Sequence, residues 1–261
     1  MNILFFGDVF GRPGRRVVKQ ALPGLKAEFG IDISILNCEN LASGRGVTRE
    51  TAKELFDAGI DLFSSGNHLW DRKQSIEYIT GERRIVKPLN YPQKAAGAPW
   101  AMAETPSGAR LALVVLVGQS FMPGADSPLT TLDRILPELQ EQTPCILVDF
   151  HAESTAEKRA LGFYADGRVS AVIGTHTHIQ TADEHILPQG AAYITDVGMT
   201  GPHDSVIGVE KEIILYKMTT GMPRQYEVAR DGLQINAVVV EVDDDTGRAV
   251  RIERIRRTVN L

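Results

Sequence analysis

The sequence predicts an α/β fold whose site gathers at the carboxyl ends of the strands. Three observations carry this. Short, β-branched apolar runs recur along the first 200 residues. Stretches with apolar residues at helical spacing lie between several of them. Five of the runs end in side chains able to ligate a metal.

The predicted strands are Ile3–Phe6, Ile33–Leu36, Asp61–Phe63, Leu111–Val117, Cys145–Val148, Val169–Ile173 and Ala191–Ile194. A helix is predicted over 13–29, with Pro13 suited to a first turn and Pro23-Gly24 as an early kink or stop. A second is predicted over 48–58, with Thr48 as N-cap and Gly59 as stop. Residues 71–79, 131–141 and 154–163 read as further helices, the first capped by Asp71. Segments 90–109 and 118–128 read as surface loops. After residue 205 the pattern turns antiparallel, with strands expected at 208–217, 224–230, 234–242 and 248–257 and a turn at 243–247. Without a linker, repeat or low-complexity segment, residues 1–261 are expected to form a single domain.

A hydrophobic fraction of 43% and a charged fraction of 23% are ordinary for a globular protein. The net charge of −5 argues against an extended nucleic-acid groove, yet it admits a small phosphate ligand in a metal-lined cleft. The longest strongly apolar run, from Leu111, is too short to span a membrane, and the N-terminus carries no leader pattern. The expectation is a soluble, cytoplasmic protein whose oligomeric state, including a homo-oligomer, the sequence leaves open. Cys38 and Cys145 border apolar runs and read as buried, free thiols.

Position singles out the functional candidates. Asp8 follows ILFFG, Glu39 and Asn40 follow ISILNC, and Asn67 and His68 follow LFSSG; His151 follows CILVDF, and His176 and His178 follow SAVIGT. In open α/β sheets, ligands bind beyond the carboxyl ends of the strands, so parallel neighbours would bring these side chains to one edge. Four of the six histidines fall at these ends. His176 and His178 stand two apart, and in an extended segment they would point to the same side. Imidazole, carboxylate and amide oxygen suit borderline divalent metals, and the set admits Fe, Mn, Zn or Co. Asp8, Glu39, Asn40, Asn67, His151, His176 and His178 are too many for one tetrahedral site. They fit two metals sharing a carboxylate, with Glu39 the natural bridge.

The blocks GD at 7–8, GNH at 66–68 and GTHTH at 174–178 resemble those of calcineurin-like metallophosphoesterases. That superfamily usually has D-x-H in its first block and GDxxD in its second. This chain has Asp8-Val9-Phe10 and Cys38-Glu39-Asn40 instead. Those departures, with GDVFGRPGR, NCEN, SSGNHLWD, DFHAE and TDVGMTGPHDSVIG, look like the YmdB family of bacterial phosphodiesterases, over blocks spanning residues 7 to 208. The resemblance implies a four-layer α/β/β/α sandwich, a dinuclear iron-type site and hydrolysis of 2′,3′-cyclic nucleotides. It implies that Asp8, Glu39, Asn40 and His178 hold one metal, and Glu39, Asn67, His151 and His176 the other. Asn40 then replaces the missing histidine, and His68 is the proton donor. In the expected mechanism, a bridging water of lowered pKa attacks phosphorus as hydroxide while His68 protonates the leaving ribose oxygen.

Each candidate has a plainer reading. Asp8 alone could be a helix cap, Asn40 a turn former and His68 a packing neighbour of Asn67. Arg12, Arg15 and Arg16 either meet a phosphate or are solvated surface arginines. Asp196, His203 and Asp204 either line the cleft or cap turns, and Glu153 either supports a ligand or starts a helix in solvent. Trp70 and Tyr91 either stack on a base or pack in the core. The rival functions are a phosphomonoesterase or nucleotidase on the same site, and a metal-stabilised regulatory or RNA-associated protein with little turnover.

Overall fold

The computed structural model describes residues 1–122 and 124–260; Pro123, within the predicted loop 118–128, lies outside the described residues. The chain begins β1 (Asn2–Phe6), β2 (Asp8–Val9), α1 (Gly11–Phe29), β3 (Ile33–Asn37), α2 (Arg49–Phe56) and β4 (Leu62–Ser64). A 3₁₀ turn (Lys73–Ser75) leads into α3 (Ile76–Gly81), β5 (Trp100–Glu104), β6 (Arg110–Val117), α4 (Pro128–Gln140), β7 (Ile146–His151) and α5 (Thr155–Ala165). Then come β8 (Ala171–Thr175), β9 (His185–Ile186), β10 (Ala192–Ile194), β11 (Met199–Pro202), α6 (Lys211–Thr220), β12 (Leu233–Val242) and β13 (Ala249–Thr258).

Two sheets result. The first runs β2-β11-β12-β1-β3-β4, with β13 also on β12; the second runs β5-β6-β7-β8-β10-β9. β1, β3 and β4 are parallel, as are β6, β7, β8 and β10. Alternation along each strand sends one set of side chains to each face. Ile3, Phe5 and Ile35 of the first sheet pack with Leu113, Val115, Leu147 and Ile173 of the second, making the core between the sheets. Leu4, Phe6 and Leu36 face the other way, onto Val18 and Leu22 of α1 and Leu55 of α2. Val114, Val148 and Phe150 face Leu132 and Leu136 of α4 and Leu161 of α5. The order of layers is therefore helix, sheet, sheet, helix, the sandwich that the resemblance implied.

Several local expectations need correction. Segment 208–217 is not a strand: helix α6 covers most of it and ends at Gly221, φ 71°. Its charged and unbranched residues favour helix, and β12 is already flanked by β1, β11 and β13. Segment 224–230 has only the bridge Val209–Val228. The expected loop 90–109 contains β5, paired antiparallel with β6, because its alternation is masked by flanking proline and glycine. Pro23 lies inside α1, which runs on to the left-handed cap at Gly30. Thr48 caps α2 through a reciprocal capping box with Thr51. Among the described residues, no helix is long and apolar enough to cross a membrane. Both cysteines are buried and free.

Candidate metal centre

The predicted strand ends meet, but across two sheets. Asp8, Glu39, Asn40, Asn67 and His68 follow β1, β3 and β4, while His151, His176 and His178 come from β7 and β8. The site therefore lies at the edge where both sheets present their carboxyl ends. Asn37, at the end of β3, ties them together: its Nδ2 donates to Asp149 Oδ2 on β7 (3.1 Å) and its Oδ1 accepts from the Glu39 amide (3.0 Å).

Around His151, donor atoms point at one another. Its Nε2 lies 3.2 Å from Glu39 Oε1, 3.1 Å from Asn67 Oδ1 and 3.0 Å from His176 Nδ1. The tautomers follow from the other ring nitrogens. Thr175 Oγ1 gives its proton to Asp149 Oδ1 (2.6 Å), so it accepts from His151 Nδ1–H (2.9 Å). His176 Nε2 faces Glu153 Oε2 at 3.1 Å. Neutral His151 and His176 thus aim lone pairs at one point, where a cation satisfies them. A Cβ built on Gly66 would fall in the same cradle, 2.3 Å from both Glu39 Oε2 and His151 Nε2. Without a cation a proton takes that place. Burial opposes a charge on His151, but the carboxylates of Glu39, Asp8 and Asp149 outweigh it and raise it to about 9. His176 is depressed to about 3, first by burial and then by His151.

A second group forms around Asp8. Burial raises its carboxyl above the usual range although His178 and His151 oppose the shift. Its Oδ1 and the Oδ1 of Asn40 are buried without a hydrogen-bond partner. Asn40 turns that oxygen inward because its Nδ2 donates to the Gly44 carbonyl (3.0 Å). His178 gives Nδ1–H to the Ile207 carbonyl (3.0 Å) and brings Nε2 to 3.8 Å from Asp8 Oδ1. Phe10, where the superfamily usually has histidine, sets its ring edge-on to His178 at 5.6 Å. Two partnerless buried oxygens and a free imidazole nitrogen fit a cation.

His176 and His178 do not extend β8, contrary to the sequence expectation. They occupy left-handed backbone at φ 98° and 65°, which turns one imidazole toward His151 and the other toward Asp8. A buried ion pair holds this turn. Lys158 Nζ on α5 donates to Asp196 Oδ2 (2.6 Å) and to the Thr175 carbonyl (2.7 Å), while Asp196 accepts from the amide and hydroxyl of Thr177 (3.1 and 2.8 Å). Asp196 therefore supports the site from behind. Sequence reasoning missed Lys158, Asp149 and Thr175; the one available signal was Asp149 two residues before His151, on the same face of β7.

His68 is tied by its amide to Glu39 Oε2 (3.0 Å) and by Nδ1 to Asp71 Oδ2 (2.9 Å). Asp71 thus orients His68 and does not cap a helix; the residue before the 3₁₀ turn is Arg72. Arg15 is spent on Glu54 and the Leu41 carbonyl. His203 donates to the Met199 carbonyl (2.8 Å), Asp204 pairs with Lys211, and Trp70 packs edge-on to Tyr91.

The model of the YmdB-like family matches residues 4–255. The chain belongs to this family. It is 45% identical over 255 residues to the 2′,3′-cyclic-nucleotide 2′-phosphodiesterase of Bacillus subtilis (strain 168), covering 98% of this chain and 96% of that one. The YmdB-like fold is shared with the crystal structure of a hypothetical protein from Thermus thermophilus, at TM-score 0.92 and 41% identity over 99% of both chains. A novel phosphatase from Mycoplasma pneumoniae superposes at TM-score 0.93 and 35% identity, over 99% of this YmdB-like chain and 93% of its own.

Proposed function

We propose that this YmdB-like protein is a dinuclear metal phosphodiesterase that opens 2′,3′-cyclic nucleotides. What supports a metal pair is the divergence of His176 and His178 into two donor groups, with Glu39 in the first of them and next in sequence to Asn40 of the second. Asp8, Glu39, Asn40 and His178 hold one ion; Glu39, Asn67, His151 and His176 hold the other. Metal bound there supplies a nucleophile at neutral pH by lowering the pKa of water, and offsets charge on the phosphoryl oxygens.

The chain's own residues do the rest. Thr175 and Asp149 keep the proton on His151 Nδ1, and Glu153 keeps it on His176 Nε2. Asp71 engages His68 Nδ1 and leaves Nε2 to pass a proton to the leaving oxygen. The Bacillus relative is named a 2′-phosphodiesterase; by that analogy the leaving atom is the ribose 2′ oxygen and the product keeps a 3′ phosphate. The all-nitrogen and oxygen donor set suits iron, manganese or zinc, and the family resemblance favours iron.

Elemental analysis of fresh protein, with a substrate panel, tests this reading. We expect about two metal ions per chain, as a two-metal site requires. We also expect bis-p-nitrophenyl phosphate to be cleaved faster than the monoester, and 2′,3′-cyclic AMP faster than 3′,5′-cyclic AMP. A preference for the monoester makes the protein a phosphomonoesterase, and no turnover by metal-loaded protein rejects the enzyme reading.

A further inference from the structure

We infer that the preferred substrate is the 2′,3′-cyclic-phosphate end of an oligoribonucleotide, whose preceding phosphates lie in a short cationic channel leading away from the metal centre. The inference rests on the phosphodiesterase reading above and adds where the rest of the substrate lies.

Two cavities carry it. The first, about 600 Å³, abuts the centre at three lining residues: Phe10 against His178, Gly44 whose carbonyl accepts from Asn40, and Asp71 on His68. The second, about 610 Å³, adjoins the first, and Ser43, Tyr226, Glu227 and Val228 line both. Each falls within the roughly 300–1,000 Å³ that holds a drug-sized ligand. One nucleotide seated at the metal ligands therefore leaves the second cavity over.

The channel is cationic in a chain of net charge −5. Arg45, Arg72 and Lys73 line the first cavity, and Arg12, Arg16 and Arg230 line the second. The facing acids are Asp71, already engaged by His68, and Glu227. Among the described residues these six cations make no ion pair, although Arg15 and Lys19 on the same helix as Arg12 and Arg16 are both paired with Glu54. Arg72 already spends its guanidinium on the Arg45 and Ala42 carbonyls; the unpaired guanidinium groups of the other arginines suit phosphate oxygens, which they can meet with two parallel hydrogen bonds. Tyr226 stands where the cavities join, 44% exposed, its hydroxyl held by Lys217 at 2.7 Å, and offers a face for a base to stack on. Two cavities of this size hold roughly one nucleotide each, by the volume that a drug-sized ligand fills, which agrees with the acidic balance of the chain.

The test compares a uridine trinucleotide ending in a 2′,3′-cyclic phosphate with 2′,3′-cyclic UMP. We expect the higher kcat/KM for the trinucleotide at low salt. Raising salt from about 50 to about 200 mM should erode its value roughly sevenfold more, since each of two added phosphate contacts steepens the salt slope by about 0.7. In the triple variant R12A/R16A/R230A the advantage should vanish while turnover of cyclic UMP is kept, which also reports that the variant folds. Equal kcat/KM for the two substrates in the natural protein overturns the inference, as it would if a second copy of the chain sealed the channel. An advantage that survives in the triple variant overturns it too. Anisotropy of a fluorescent trinucleotide ending in a 3′ phosphate gives a readout independent of turnover. Equal affinity in natural and triple-variant protein overturns the channel. Weakened binding in the variant with no hydrolysis of either substrate leaves the channel standing and removes the phosphodiesterase reading instead.

Discussion

His68 and His151 both touch Glu39, yet their rings are prepared for different tasks. His151 is wholly buried, and its Nδ1 proton is committed to Thr175, so its lone pair is presented to an ion. His68 reaches Glu39 only through its backbone, and its ring turns to Asp71 near the surface. We expect His68→Ala to retain its metal by elemental analysis and to lose about 10²–10⁴ in turnover, the usual contribution of a general acid. Undiminished turnover in the metal-loaded variant would remove His68 from the reaction. Thr175→Val takes away the acceptor of the His151 proton and leaves Asp149 without its shortest partner. Metal affinity, read by chelator competition, should fall about 10–100-fold, as with other groups that orient metal ligands, and Thr175→Ser should restore it. The ligand candidates were legible because polar residues closing apolar runs stand out. Asp149 and Thr175 were not, because a polar residue inside a strand reveals nothing of its partner across the sheet. Asn40 was legible mostly by resemblance, since its strand-end position also suits a turn former; its inward oxygen depends on the bond to Gly44.

Among the elements, α5 does more than cover the second sheet. Its Lys158 passes beneath β8 to Asp196, with both side chains 1% exposed. Removing one partner of such a pair strands the other charge in the core. Lys158→Met should therefore destabilise the metal-free protein by about 3–5 kcal/mol in urea titration. It should also weaken metal binding, because the left-handed turn at His176 and His178 loses its support. A loss below about 1 kcal/mol, the scale of an exposed pair, would show that the turn stands without it. Buried parallel strands were legible by their continuous apolar runs. The segment after residue 205 was not, because short apolar runs serve helix and strand alike. Helix α6 shows the ambiguity: only Ile213 is buried, and Leu215 and Met218 face solvent at 55% and 78% exposure.

At the scale of the molecule, three apolar cores close the sandwich without using a proposed metal ligand. Dialysis against a chelator should leave the far-ultraviolet circular dichroism intact and lower Tm by on the order of 10 °C, restored by metal. That is the size expected when a ligand at about 1,000 times its Kd is withdrawn from a chain of this length. Loss of secondary structure on chelation would mean that the ions hold the fold itself.

The sequence by itself determined the α/β class and set the candidate ligands at the strand ends. These depend on local pattern: a strand's period and a polar residue's place after it are written in consecutive positions. Only the tertiary structure decided that the ends belong to two sheets, that His176 and His178 part rather than align, and that Asp149, Thr175, Asp196 and Lys158 stand behind them. It alone joined Arg12 and Arg16 to Arg230, more than two hundred residues away, along one channel. Such arrangements come from packing between segments distant in the chain, and spacing along a sequence does not encode which distant neighbour a side chain will meet.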